Sequence, residues 1–412
     1  MRLFTTYSVK AGDTLESIAR KSYGNGANSQ LIFKANPGLS ETLMPGTSIV
    51  LPRLLDTPFK LPTVTSSPGQ HDVTIFINNK MFRFFSELEI TRSVDSIDSF
   101  QFLCPFDSDA FNYRDVLAPM SYSNIVIYIG NELMLTGFVL DASPTESSDS
   151  VINSVSGYAS PGILNDCMPS IHDLSFNFND VTLQGISNKL LQPFGIDSVF
   201  KASSGSVFNV TVDPTDGILR FLVKLSHQRN LVINSTESGQ LRFWQSISSG
   251  TPVAILNEGD ASFTNIDVSF NPQHYYSHIT GLSPEGSIYS ASKHTIKNPF
   301  LTHIFRPFVF RVPDNDNSTL KAAVKAKVGR MFANVARYTV DVPTWFDASG
   351  KLWEPNTIIQ LFAPNAKVYK SYNFILRSVT FTATATAQTA KLQLMLPGSF
   401  NGTIPESLPW LL

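Results

Sequence analysis

The chain has 412 residues, enough for two to four domains, and only 16% of them are charged. Its 31 basic and 33 acidic residues nearly cancel, so we expect neither nucleic-acid specificity nor attraction to an anionic membrane. Two cysteines exclude a disulfide framework, and no apolar run of about 18 residues predicts membrane insertion. The N-terminus lacks the apolar core of a signal peptide, so we expect synthesis and assembly in the cytoplasm.

The first 52 residues predict a strand, two helices and a second strand. Gly12 turns the chain after the first strand, and Asp13 or Thr14 can cap the first helix. Asn36 and Pro37 end the second helix, because proline cannot continue it. The pattern therefore predicts one small βααβ module.

This module resembles the LysM family. The matching residues are Tyr7, Val9, Gly12, Asp13, Thr14, Leu15, Ile18, Ala19, Asn36, Leu43, Pro45, Gly46 and residues 49–52. In that family glycan lies between the loop after the first strand and the loop before the last. The resemblance thus implies Gly12, Asp13, Thr14, Asn36 and Pro37 as glycan-binding or partner-binding residues. The same residues also cap and turn the chain, and both interpretations stay open.

Residues 53–70 contain three prolines without periodicity, and they predict an extended linker that could span up to roughly 55 Å. Many short alternating strands predict a first β-barrel domain over residues 71–165. Residues 166–258 combine two helical patterns with strands and predict a mixed α/β domain.

Residues 259–400 return to short strands and predict a second β-barrel domain, followed by a C-terminal tail at 401–412. Residues 124–157 and 356–396 both follow the order strand, turn, longer strand and final alternating strand. This repeat of pattern predicts two barrels of similar design in one chain. Within the second, the alternation of residues 372–387 predicts one long strand.

An amphipathic helix is predicted near residue 325, inside the second barrel domain. It carries Lys321, Lys325, Lys327 and Arg330 with no acidic residue between them. Such a run is typical of a solvated helix face. It also fits docking to an acidic partner, such as a neighbouring chain, and the sequence leaves both interpretations open.

Residues 71–400 resemble the baseplate hub proteins of contractile-tailed phages, the Mu-type hub and late control protein D group. The matching segments are residues 88–93, 135–141, 155–157, 217–219, 239–241, 336–337, 350–356 and 376–379. Their order along the chain, more than any one segment, carries the resemblance. It implies a mainly β protein in which two similar tube-like β-barrels flank the mixed domain, with the LysM module in front.

The hub resemblance implies a homotrimer in the virion tail baseplate. Three chains with two barrels each would present six similar barrels to the sixfold tail tube and a threefold face to the central spike. The other implied partners are baseplate wedge or sheath-initiator proteins, to which the LysM module would clamp the hub. The alternative is a peptidoglycan-binding LysM protein that carries a lytic or receptor-binding β domain.

Catalytic and metal-binding patterns are weak in this sequence. Asp166-Cys167 is similar to the start of some cell-wall endopeptidases, but the histidine motif that would activate the thiol is missing. His274 and His278 have the spacing of a zinc pair, but their flanks predict a strand, which separates four residues by about 13 Å. We therefore expect no enzyme activity, no catalytic residue, no metal and no cofactor.

Overall fold

The computed structural model describes residues 4–23, 26, 29–36, 39, 43–52, 69, 71–82, 85–105, 116–147, 151–170, 176–283, 292–312 and 317–411. The chain divides into two units, Met1–Thr63 and Val64–Leu412, called here the small unit and the main unit. The predicted linker lies outside the described residues except for Gly69, and Pro37 lies outside them too.

The small unit has the predicted order of elements. They are β1 (Phe4–Ser8), α1 (Leu15–Tyr23), α2 (Ser29–Ala35) and β2 (Ser48–Pro52). The two strands pair antiparallel, with Tyr7 opposite Ile49. Buried apolar residues from both helices, from β2 and from just after β1 form the core: Val9, Ile18, Ala19, Ile32, Ile49 and Leu51.

The first β body begins the main unit and is antiparallel throughout its described strands. They are β3 (Val73–Ile77), β4 (Lys80–Phe82), β5 (Glu87–Ser93), β6 (Ser99–Pro105), β7 (Asn124–Ile129), β8 (Glu132–Glu146) and β9 (Val151–Ala159). Their order in the sheet is β5-β6-β9-β8-β7-β3-β4. Leu88 and Ile90 of β5 are buried while Glu87 and Glu89 are exposed, because successive strand residues point to opposite faces.

The mixed region follows the first β body. Its elements are α3 (Ile163–Asp166), β10 (Asn177–Val181), α4 (Leu183–Leu191), β11 (Ser198–Phe200), β12 (Phe208–Thr211), α5 (Ile218–Gln228), β13 (Val232–Ser235) and β14 (Leu241–Trp244). Thr182 begins α4 by accepting a hydrogen bond from the Gly185 N–H. The hairpin of β13 and β14 turns at Gly239, which has a positive φ of 83°.

The second β body repeats the strand order of the first. Its strands are β15 (Ala254–Asn257), β16 (Asn265–Phe270), β20 (Ala336–Val342), β21 (Ile358–Ala363), β22 (Val368–Ala383) and β23 (Gln388–Met395). They lie in the order β16-β20-β23-β22-β21-β15, which matches β5-β6-β9-β8-β7-β3. The structure thus confirms the repeat that the sequence pattern predicted.

The prediction of one strand over residues 372–387 is wrong at its C-terminal end. β22 ends at Ala383, and the N–H of Thr384 donates to the carbonyl of Ala387 at 2.8 Å, closing a turn before β23. The Thr384 hydroxyl also accepts from the Ala387 N–H at 3.1 Å. Alternating threonine and alanine residues are compatible with both a strand and an exposed turn. The sequence pattern therefore did not indicate that the chain reverses direction after Ala383.

A layer inserted between β16 and β20 holds the predicted helix. It contains β17 (His278–Ser283), β18 (Ser292–Lys297), β19 (Pro307–Arg311) and α6 (Asn317–Val335). The sheet order is β18-β17-β19, and α6 packs against this sheet and against α5 and β20. A side chain at Gly281 would collide with Val324 and Leu320, so the glycine permits this close packing. With neighbours on several sides, α6 buries more than the single predicted stripe, Ala326 and Ala333 included.

Candidate functional site

The two β bodies are joined into one 13-stranded sheet by the pairing of β5 with β22, called here the seam. The register sets Thr91 opposite Thr380, and their hydroxyl oxygens are 2.9 Å apart on the polar face. On the opposite face Ile90 and Phe381 are both fully buried. The backbone ladder therefore couples the two bodies directly, which the sequence did not predict because the strands lie almost 290 residues apart.

The polar face of the seam forms part of a shallow groove of about 300 Å³ in the first β body. Thr91, Ser99, Gln101 and Ser156 give it hydroxyl and amide groups, and Glu89 is its one ionisable side chain among the described lining residues. The described lining of the groove is therefore polar and carries a single carboxylate.

A buried charged junction lies where the seam meets the mixed region. The guanidinium of Arg92 donates to Glu237, and its Nε lies 3.8 Å from Oδ2 of Asp98. Asn234 donates to the carbonyl of Ser93 at 2.7 Å and accepts from Arg242 Nε at 2.9 Å. Burial raises the pKa of Asp98 to about 7, against the opposing effect of the Arg92 charge.

Further polar contacts tie both bodies to this junction. Arg377 of β22 donates two hydrogen bonds to Asp95, at 3.1 and 2.8 Å. The indole N–H of Trp244 donates to the carbonyl of Val94 at 3.1 Å. The carboxamide oxygen of Asn356 accepts from the backbone N–H of Ile247 at 2.9 Å. The mixed region is thus hydrogen-bonded to both β bodies near the seam.

The predicted binding loops of the small unit use their polar side chains internally. The Tyr7 hydroxyl and the Lys10 backbone N–H both donate to Asp13 at 2.8 Å, and these bonds lower the pKa of Asp13. Gly12 has a positive φ of 86°, which positions Asp13 for these bonds. Thr14 and Ser17 each accept a hydrogen bond from the other's backbone N–H, as in a capping box.

Asn36 joins the end of α2 to β2. Its amide nitrogen donates to the carbonyls of Ile32 and Val50 at 2.7 Å, and its oxygen accepts from the Val50 N–H at 2.7 Å. These three bonds use the donors and the oxygen that a ligand would need. The described loop residues therefore lie where the sequence placed them, and their geometry favours a structural role.

We expect Asn36→Ala to open the C-terminal half of the small unit selectively. Loss of three hydrogen bonds should cost about 3 kcal/mol, which is large for a module of this size. Hydrogen exchange on the full chain should then show faster exchange of the α2 and β2 amides. Thr14→Ala removes one capping bond and should cost about 1 kcal/mol. If the α2 and β2 amides exchanged at the same rate in Asn36→Ala and in Thr14→Ala, the structural role of Asn36 would be contradicted.

The structure divides the four basic residues of α6. Lys321, Lys325 and Lys327 are exposed, and the ammonium of Lys327 lies 4.7 Å from the ring centre of Phe308. Arg330 is half-buried and donates to the carbonyl of Leu231 at 2.9 Å, and burial lowers its pKa to about 10. Arg330 thus fixes α6 to the mixed region, while the three lysines form the exposed basic part.

The structure adds no support for the weak catalytic and metal-binding patterns of the sequence. Desolvation raises the pKa of the Cys167 thiol, which disfavours the nucleophilic thiolate. His274 lies in a short 3₁₀ turn and His278 begins β17, and their ring nitrogens contact Tyr276 and Ser277. Within the described ranges no group of three metal-ligating side chains converges, and no helix is long and apolar enough to cross a membrane.

Two family models match this chain. Residues 161–245 match the second domain of gp44-like baseplate hub proteins, and residues 7–52 match the LysM domain. The baseplate hub protein gp44 of Escherichia phage Mu is 22% identical over 328 residues, covering 75% of this chain and 83% of that protein. The resemblance to Mu-type baseplate hub proteins is confirmed.

A similar fold is found among solved structures of prophage tail proteins. The 43 kDa tail protein of prophage MuSo2 from Shewanella oneidensis has a TM-score of 0.67 at 20% identity, over 80% of this chain and 99% of that one.

A second sequence relative matches a shorter stretch of the chain. The putative L,D-transpeptidase YkuD of Bacillus subtilis (strain 168) is 37% identical over 81 residues, covering 19% of this chain and 47% of that protein. The chain thus combines a hub-like main unit with an N-terminal LysM module.

Proposed function

We propose that this chain is a structural hub in the baseplate of a contractile phage tail. In this proposal three copies form a ring that adapts the sixfold tail tube to the threefold central spike. The main support for this proposal is the internal repeat, because two β bodies with the same strand order lie in one sheet. A cyclic trimer of such chains contains six similar bodies, so one face can match sixfold symmetry while the assembly keeps a threefold axis.

The gp44-like match of the mixed region and the Mu relative support this assignment over an enzyme. The mixed region and the layer inserted between β16 and β20 have no counterpart in the repeat, so these parts would reduce the sixfold pattern of the bodies to threefold symmetry. The proposal places the protein in the virion tail, with tube, spike and wedge or sheath-initiator proteins as partners.

Light scattering on the purified full chain tests the proposed oligomer. We expect a mass three times the 45.4 kDa of one chain, independent of concentration above the dissociation constant. A stable monomer or dimer at the highest soluble concentration would contradict the adaptor function. Dissociation of the trimer in high salt would be consistent with a charged interface.

We further propose that the LysM module clamps the hub to wedge or sheath proteins. Internal use of Asp13, Thr14 and Asn36 supports this role over glycan capture. A pull-down of the full chain on purified peptidoglycan separates the two roles. Weak retention supports the clamp, whereas strong retention that Asn36→Ala abolishes would favour the peptidoglycan-binding alternative.

The exposed lysines of α6 are proposed to dock an acidic neighbour in the baseplate. Replacing Lys321 and Lys325 by glutamate should weaken that assembly at least tenfold, because attraction becomes repulsion across the interface. Binding can be measured by co-sedimentation with isolated baseplates. Replacing the same residues by arginine keeps the charge and serves as the control. Unchanged assembly of the glutamate variant would leave these residues as a solvated face.

A further inference from the structure

The two β bodies match at the level of single residues, not only of strand order. In β5 the residues 88–91 read LEIT, and in β16 the residues 266–269 read IDVS. Ile90 lies opposite Phe100 of β6, and Val268 lies opposite Tyr338 of β20. β16 is therefore the counterpart of β5, with Leu88 matching Ile266 and Thr91 matching Ser269.

β8 and β22 are matched by a shared irregularity. Each strand contains a β-bulge against its hairpin partner, between Val139 and Asp141 in β8 and between Leu376 and Ser378 in β22. In both cases four residues separate the strand from the next strand along the chain. Counting from the bulges, Ser143 corresponds to Thr380, and Pro144 corresponds to Phe381.

Within one chain the seam joins β22 of the second body to β5 of the first. The counterparts of these two strands are β8 and β16. β16 ends the sheet, and residues 141–146 of β8 pair only with β9 among the described strands. One chain therefore carries both halves of a second seam, and each half is paired on one edge only, with β9 or β20, among the described strands.

Side chains are more exposed in the unpaired edges of β16 and β8 than at the corresponding positions of β5 and β22, which pair with each other in the seam. Leu88 and Ile90 of β5 are at most 1% exposed, but their counterparts Ile266 and Val268 are only half-buried. Phe381 of β22 is fully buried, but its counterpart Pro144 is exposed. A strand laid along each open edge would bury these positions as the seam does.

We infer that β8 of one copy pairs antiparallel with β16 of the next copy, so that three intermolecular seams repeat the three internal ones. This inference rests on the proposed trimer and names the surfaces that form it. The register of the seam carries over, which places Ser143 opposite Ser269 and Thr145 opposite Asp267. The contact is heterologous, and three copies close it into a ring with no open edge of this kind.

The charges of the two β bodies favour this contact with a second copy. Residues 71–165, with the first body, contain twelve acidic and four basic residues. Residues 259–400, with the second body, contain fourteen basic and eight acidic residues. A ring in which each first body meets a neighbour's second body therefore sets unlike charges against each other, whereas like bodies would repel.

Pro144 fits an edge that pairs only in the assembled ring. Proline has no N–H to donate, so it removes one bond from the intermolecular ladder and is tolerated at a sheet edge. Edge prolines and charged residues such as Glu146 also hinder accidental pairing of free chains. The open edge of β8 is thus protected before assembly, unlike β22, whose partner lies in the same chain.

Cysteine cross-linking of the full chain tests this register. The variant S143C/S269C should, on oxidation, give covalent dimers and trimers but no larger species. S143C/N265C keeps the same strand and face but is four residues, about 13 Å, out of register, and should cross-link at least tenfold less. T91C/T380C provides the internal standard, because its seam hydroxyls are already adjacent and should give a link without increase in mass.

The outcomes separate this inference from the proposed function. If light scattering gives a trimer and S143C/S269C gives covalent dimers and trimers, both the proposed function and the assignment of the intermolecular seam are supported. A trimer in which S143C/S269C fails to cross-link, links within one chain, or links no better than S143C/N265C overturns the seam assignment and leaves the adaptor function standing. Absence of a trimer in the unmodified chain overturns both together. The wild type, with native Cys104 and Cys167, gives the background level.

Discussion

Phe381→Ala is expected to lower the free energy of unfolding of the main unit by about 3–5 kcal/mol. Phe381 is fully buried at the centre of the seam, opposite Ile90. Its ring meets that of Trp345 edge to face, with centroids 6.1 Å apart. Truncation removes this contact and leaves a cavity between the two β bodies, which surrounding strands cannot fill without breaking the ladder.

Urea unfolding followed by tryptophan fluorescence measures this loss. All four tryptophans, at positions 244, 345, 353 and 410, lie in the main unit, so the signal reports that unit alone. Thr382→Ala changes the next residue, which is half-buried on the opposite face, and should cost less than about 1 kcal/mol. Equal losses in the two variants would show that the seam does not depend on its apolar face.

Asp98→Asn is expected to make stability less sensitive to pH between pH 4 and pH 8. The pKa of Asp98 is raised to about 7 by burial, whereas the unfolded carboxyl has a pKa near 3.8. The folded chain therefore keeps a proton that the unfolded chain loses, and the contribution of Asp98 to stability declines as pH rises towards 7. Three pKa units correspond to about 4 kcal/mol.

Unfolding free energies at several pH values test this prediction. Relative to Asp98→Asn, the wild type should lose about 4 kcal/mol between pH 4 and pH 8, with the decline ending near pH 7. Glu132→Gln, which replaces an exposed carboxyl group far from the junction in sequence, serves as the control substitution. Parallel curves for wild type and Asp98→Asn would mean that Asp98 is ionised in the folded junction.

The sequence predicted those features that depend on local pattern. Alternation along residues 87–92 placed β5, and its apolar positions Leu88 and Ile90 are buried as strand geometry requires. Helical spacing and Gly12 placed the helices and turn of the small unit. Local pattern failed at Thr384, where a turn and a strand share the same residue types.

The candidate assembly surfaces depend on distant pairings, which no local pattern contains. The seam joins Thr91 to Thr380, and the charged junction joins Arg92 to Glu237. Arg92 lies in an alternating strand, yet the mixed region covers it. The similarity of residues 88–91 to residues 266–269 was a further signal in the sequence, and it could have matched β5 with β16. The basic run on α6 was visible, but only the fold separates Arg330 from the exposed lysines.

Electron microscopy of the purified full-length chain tests the central claim most directly, because that claim concerns symmetry. The proposed hub should appear as a closed ring with a central hole, built from six lobes of similar size that alternate around a threefold axis. Single particles with two lobes, or rings whose number of lobes is not six, would contradict a hub that adapts a sixfold tube to a threefold spike.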